Sequence, residues 1–232
     1  MTINDMHYDF RKKLNKVTNN NFRNLTVPEI DWTLNEAQEL FIKLVANPKL
    51  KHPLGFESSQ RTISDIRTLV VEEKTITIVN NIATIPTDYF EYVSSYCKMT
   101  RGECTANSNK LFIRRHGDDF QSSIFDRSSF DWRTVNAVFN DKGLKIFTDG
   151  FTATELYMTY IRKPKYIHNA KASKSNTYKL PSGEILEGTQ DCELPDTTHR
   201  EIVDIAVMII SGELQLPDFA VKQNKVTLNQ NI

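Results

Sequence analysis

Residues 31–71 read DWTLNEAQELFIKLVANPKLKHPLGFESSQRTISDIRTLVV. This stretch decides the fold, because it reads as two amphipathic helices joined by a Pro-containing connector. Ile30, Leu34, Ala37, Phe41 and Leu44 recur at steps of four and three, the apolar stripe of a helix that starts near Asp31. Thr33 followed by Glu36 fits a capping box. Pro48 and Pro53 punctuate the connector, and Gly55 precedes a second helix over about 57–70. That helix is expected to bury Ile63, Ile66 and Leu69. Its other face carries Gln60, Arg61, Ser64, Asp65 and Arg67, with Arg61, Asp65 and Arg67 as candidate subunit-interface residues.

Upstream, Ile3, Met6, Phe10, Leu14 and Val17 share one helical face, and Thr18-Asn19-Asn20-Asn21 breaks the pattern. Downstream of Val71 the period shortens. Thr75–Val79 and Ile82–Ile85 read as strands around an Asn80-Asn81 turn, and Pro86-Thr87-Asp88 leads into a long strand over 89–99. Further strands are expected over 111–115, 135–139, 144–148 and 153–162, with residues 117–133 a short helix or an irregular loop. Asp149-Gly150 predicts a tight hairpin between the last two of these strands. Residues 163–196 show no packing pattern and read as an extended arm or loop. Thr198 and Glu201 form a second capping box, and the helix over 198–214 is almost continuously apolar, from Ile202 to Ile210. Pro217 ends it, and 219–232 reads as a polar tail with apolar beads.

Segregated helices and strands argue for an α+β fold rather than a parallel βαβ sheet. The expected architecture is a helical bundle formed by N-terminal and C-terminal helices with a β-rich middle domain. Its parts are a helical region over 1–71, a β-rich domain over 72–165, an arm over 166–196, a core helix over 197–215 joining the helical region, and a tail over 216–232.

At 232 residues, 39% hydrophobic and 25% charged, the chain can bury a core. Its formal net charge is zero, which removes a global drive towards nucleic acid. No apolar run approaches the roughly 20 residues of a membrane span, so no membrane partner is expected. No apolar segment follows Arg11-Lys12-Lys13, which argues against a signal peptide. Cys97, Cys104 and Cys192 form no CxxC and are read as free thiols. Asn24-Leu25-Thr26 is read as a chance sequon.

The search for chemistry nominates no catalytic residue, metal ligand or cofactor. His7, His52, His116, His168 and His199 form no ligand pair. Gly183 to Gly188-Thr189 has the glycines of a phosphate loop but lacks its Lys, and Glu184 and Glu187 would repel phosphate. Asp118-Asp119 reads as solvated acids. Asp196 with His199 reads as a helix start rather than half a dyad. Arg11, Lys12, Lys13, Arg162, Lys163 and Lys165 are candidate DNA-facing or interface cations, alongside Arg114-Arg115. Phe219, Val221, Val226 and Leu228 are candidate partner-docking residues of the tail.

Several phrases together resemble a phage virion family. They are Glu29-Ile30-Asp31-Trp32 through Glu39-Leu40-Phe41; Gly55-Phe56-Glu57 with Gln60-Arg61 and 65–70, DIRTLV; 85–93, IPTDYFEYV; Tyr160-Ile161-Arg162-Lys163-Pro164; and Cys192-Glu193-Leu194-Pro195 leading into His199-Arg200-Glu201-Ile202-Val203. Their order over about 29–215 is similar to that of the head-to-tail ring, or adaptor, proteins of short-tailed phages, especially crAss-like ones. The resemblance implies a homo-oligomeric ring, commonly twelve-fold, docked below the portal protein. Such a ring extends the channel for passing double-stranded DNA and supports further tail or ring proteins. It implies a virion component made in the host cytoplasm, with no enzymatic activity. Two other classes compete with it. A nucleic-acid-binding module would use the basic clusters, and an enzyme would need a residue that nothing in the sequence nominates.

Overall fold

Helix α1 spans Ile3–Asn15 and starts where a local hydrogen-bond exchange favours it. The Thr2 backbone N–H and hydroxyl donate to the Asp5 carboxylate at 3.0 and 2.8 Å, and the Asp5 N–H returns to the Thr2 hydroxyl at 3.4 Å. This is a capping box, which satisfies donors that a helix start leaves open. The face that α1 buries is Ile3, Met6, His7 and Phe10. The computed structural model describes residues 1–15, 25–46, 64–109, 111–114, 127–214 and 219–230.

Helix α2, Val27–Ala46, begins one turn before the expected start. The operative box is Thr26 with Glu29, whose carboxylate accepts from the Thr26 N–H at 2.7 Å and hydroxyl at 2.8 Å. Pro28 falls in the first turn, where its missing N–H costs nothing. Thr33 lies inside the helix, its hydroxyl donating to the Glu29 carbonyl at 2.9 Å. Helix α3, His199–Glu213, packs against α1, α2 and the last helix, α4, Phe219–Gln230. The expected Thr198–Glu201 box does not form. The Thr198 hydroxyl donates to the Pro195 carbonyl at 2.9 Å and makes no cap bond.

The described chain divides into two compact units, Met1–Leu69 with Pro164–Ile232, and Val70–Lys163. The second holds an eight-stranded sheet. Its strands are β1 Val70–Val79, β2 Ile82–Ala83, β3 Tyr89–Arg101, β4 Cys104–Asn107, β5 Phe112–Arg114, β6 Asn136–Asn140, β7 Gly143–Phe147 and β8 Thr152–Arg162. They lie in the order β4-β3-β8-β1-β2-β7-β6-β5. Asn80 and Asn81 both take positive φ, 51° and 62°, as the tight turn between β1 and β2 requires.

The sheet curls because one run of chain stitches its two ends together. The Ser108 and Leu111 N–H groups continue the β4 pairing by donating to the β3 carbonyls of Cys97 and Ser95, at 2.8 and 2.9 Å. A residue later, Phe112 N–H donates to the Val135 carbonyl, and β5 runs parallel to β6 at the far end of the order. The enclosed core includes Cys97, Met99, Ala137, Leu144, Ile146, Leu156, Met158 and Tyr160.

Asp149-Gly150 does not make the expected hairpin. β7 pairs with β2 and β6, whereas β8 pairs with β3 and β1. The eleven residues of β8 find longer partners there than the five-residue β7 offers. Gly143 is required where β7 meets β2, since a Cβ on it would lie 2.3 Å from the Ala83 carbonyl oxygen.

Within the first unit, the segment expected as an arm carries β9 His168–Asn169, β10 Thr177–Lys179, β11 Ile185–Glu187 and β12 Thr189–Gln190, plus a 3-10 turn at Ala170–Ala172. β10 pairs with β11, and β12 with β9. α2 packs on β9 and on the 3-10 turn, and α1 also touches β9. The expected fold therefore needs correction. The chain is α+β with a large curled sheet, and its helices are not a bundle framing a β-rich middle. The physical reason lies on the inner face of α2, where one Asp31 oxygen and the Asn35 amide bond the non-helical chain at 167–169, so α2 packs there on β9 and its 3-10 turn.

Candidate functional site

Asp31 is a buried acid of the first unit. Its side chain is fully buried and accepts three hydrogen bonds. His7 Nε2–H donates to Oδ1 at 2.6 Å, and the Asn169 N–H and Tyr178 hydroxyl donate to Oδ2 at 2.9 and 2.5 Å. One turn on, the Asn35 amide pairs with the Ile167 backbone like a strand, donating at 2.7 Å and accepting at 2.8 Å. Burial, and then the bond to Asp31, pushes the Tyr178 phenol far above its ordinary range. Burial and the Asp31 charge push Tyr166 up to about 12. A buried His–Asp pair resembles a catalytic dyad. Here the Asp31 carboxylate is shut away from solvent and engaged by three donors, so the cluster fastens residues 166–179 to α1 and α2.

His199 and Asp196 make no dyad either. His199 is buried, and its Nε2–H donates to the Leu194 carbonyl at 2.8 Å. Its other nitrogen stands 3.5 Å from Asp196 Oδ1, too far for a good hydrogen bond. Burial raises the Cys97 thiol and pushes Cys192 up to about 11, so neither is an activated nucleophile. Among the described residues, no group of three or more His, Cys, Asp or Glu could hold a metal ion. No described helix is long and apolar enough to cross a membrane.

The residues nominated from sequence fall in several places. Arg61 lies outside the described residues, Asp65 is buried, and Arg67 is exposed in a 3-10 turn over Arg67–Leu69. Of the tail beads, Phe219 packs its ring on Gly212, Val226 is buried, and Val221 is exposed. Leu228 belongs to α4, with its side chain outside the described residues. Arg11 and Lys12 are exposed on α1, and Lys13 bridges Asp9 at 2.6 Å and Asp204 at 3.0 Å. Arg162 and Lys163 belong to the sheet unit and Lys165 to the helical unit, where it pairs with Glu193 at 3.2 Å. The basic run 162–165 is thus divided between the two units.

Sequence reasoning missed an exposed aromatic residue at the tip of a tied loop. Residues 129–134 form a tight loop closed by two Ser129–Thr134 backbone hydrogen bonds, at 2.8 and 3.0 Å. The Arg101 guanidinium grips Asp131 with two bonds, at 3.1 and 2.6 Å, and lies 4.6 Å above the Phe130 ring. That bond holds the Asp131 carboxyl below the usual carboxylate range. At the loop tip Trp132 is 79% exposed. The helical unit has its own exposed aromatics, Tyr8 at 71% and Trp32 at 54%. Each follows a member of the buried His7–Asp31 pair by one position. Exposure of this kind has no local sequence signal, because Trp is usually largely buried.

Neither the protein-family models nor the curated proteins contain a match to this chain.

Proposed function

We propose that this chain is a structural subunit of a closed ring at the head-to-tail junction of a short-tailed virion. In this reading the ring docks below the portal protein, extends the channel for passing double-stranded DNA, and supports further tail or ring proteins. The ordered phrases between residues 29 and 215 that resemble such adaptors support it. The observation that carries it is Trp132, an exposed ring on a loop fixed by a bidentate ion pair and a cation–π contact. Trp on a preorganised loop is the type of residue that dominates binding energy at protein interfaces, because little conformational entropy remains to be lost. A ring built from heterologous contacts needs such a knob on one face of each copy and its complement on another. Zero net charge suits side-to-side packing of identical subunits.

The test is native mass of the chain, alone and mixed with the portal protein of the same genome. A portal-dependent step to a multi-subunit complex is the expected result. A well-folded chain that stays monomeric with portal at every salt concentration would sink the reading.

A further inference from the structure

We propose that the cleft between α1, α3 and α4 is a binding site for a phosphate-bearing anion. The cleft holds about 310 Å³ and is walled by Asp9, Lys12 and Lys13 from α1, Asp204 and Val207 from α3, and Lys222 and Lys225 from α4. A neighbouring pocket shares the Asp9, Lys12, Lys13, Asp204 and Lys225 walls and adds Arg200, Tyr8, Asp5 and Met1, whose terminal ammonium is paired with Asp196 at 2.6 Å. Five side-chain cations thus face three carboxylates, Asp5, Asp9 and Asp204.

The carboxylates are already engaged. Asp5 accepts from Thr2, Asp9 from Lys13 at 2.6 Å, and Asp204 from Lys13 at 3.0 Å and Lys225 at 2.7 Å. Lys222 donates to the Ser211 hydroxyl at 2.8 Å. Lys12 and Arg200 have no hydrogen-bond or ion-pair partner among the described residues. A purely structural network would be complete without these two, which only add repulsion to a crowded cationic cleft. An anion repays that repulsion. The Arg200 guanidinium can meet two phosphate oxygens at once, and the lysine ammonium groups act on phosphate as compact point charges. The two unpartnered cations, Lys12 and Arg200, match one phosphate dianion or two successive phosphodiesters, and a single carboxylate would leave one of them unmatched. The site draws on residues about 190 positions apart and does not depend on the ring reading.

The test titrates inorganic pyrophosphate into the full chain at low salt, followed by calorimetry. Lys12→Gln and Arg200→Gln are each expected to weaken binding about tenfold, the loss of roughly one charge-assisted contact. The double variant is expected to abolish it, and Lys142→Gln, on the β6–β7 turn of the other unit, to leave it unchanged. Both target side chains are exposed, so circular dichroism should show intact folds. A short DNA duplex that competes with pyrophosphate, and loses binding in the same variants, would identify backbone phosphates as the source. Pyrophosphate binding without DNA binding would identify a free phosphate compound. The proposal is overturned if pyrophosphate does not bind, if both substitutions leave binding intact, or if an oligoglutamate peptide binds tighter. Native mass of the double variant with portal separates this outcome from the fate of the ring reading.

Discussion

Replacing Asp31 with Leu tests what holds the helical unit together. Leu is bulkier than Asp, so the substitution removes the acceptors, opens no cavity and adds some overpacking strain. Two buried donors, His7 Nε2–H and the Asn169 N–H, and the part-buried Tyr178 hydroxyl lose their partner. An unsatisfied buried donor costs about 1–3 kcal/mol, and the buried Leu returns about 1.5–3 kcal/mol of transfer energy. The net loss is expected near 3 kcal/mol, a large share of the about 5–15 kcal/mol of a typical domain. Asp31→Asn should cost less. Its amide oxygen can still accept from Asn169 and Tyr178, and its NH2 group can donate to His7 if the imidazole takes the other tautomer.

The assay is urea unfolding followed by Trp fluorescence. One Trp lies in each unit, so a Trp132→Phe background leaves Trp32, adjacent to Asp31, as reporter of the helical unit. With a slope of about 2 kcal/mol per molar urea, the Leu variant should lower the midpoint by roughly 1.5 M. A loss below about 1 kcal/mol would refute the argument that residues 166–179 are fastened through this carboxylate.

Gly143→Ala should destabilise the sheet unit by about 3 kcal/mol or more, because the new Cβ would sit 2.3 Å from the Ala83 carbonyl oxygen. Urea unfolding with Trp132 as reporter checks it, and an unchanged midpoint would mean that β2 and β7 do not meet there. Tyr160 and Tyr166 are both pushed up to about 12 from an ordinary 10.0. Raised phenols contribute stability that is whole below pH 10 and is lost as pH rises through about 12. Alkaline unfolding should therefore follow that window by circular dichroism, with tyrosinate absorbance lagging that of free tyrosine. A single titration near pH 10 with the fold intact would contradict it. Trp132→Ala should leave monomer stability within about 0.5 kcal/mol, as for other exposed sites. It should weaken ring or portal assembly by about 2 kcal/mol, roughly thirtyfold, measured by native mass across a dilution series.

What could be read from the sequence divides along the range of the interactions. Asn80-Asn81 forms its turn because four consecutive residues contain all the physics involved. Asp149-Gly150 carries a comparable local signal, yet its flanking strands part, since β8 gains more ladder with β1 and β3 than with its neighbour in sequence. The stripe of α2 was legible as an apolar face. The polar residues interleaved with it, Asp31, Asn35 and Gln38, recur at steps of four and three and are buried or half-buried too. Asp31 and Asn35 meet the backbone at 167–169, with His7 and Tyr178 completing Asp31, whereas the buried Gln38 amide finds no hydrogen-bond partner among the described residues. The cleft shows the same limit. Lys12 and Lys13 were visible as a basic run, but a run of cations on one helix cannot be distinguished from a solvated surface. It becomes a candidate site only when folding brings Lys222 and Lys225 to one pocket and Arg200 to its neighbour, and spends nearby carboxylates on Lys13 and Lys225. The charge that matters there is what remains after internal pairing, and pairing between residues so far apart in the chain follows from the packing of α1, α3 and α4 rather than from any local pattern.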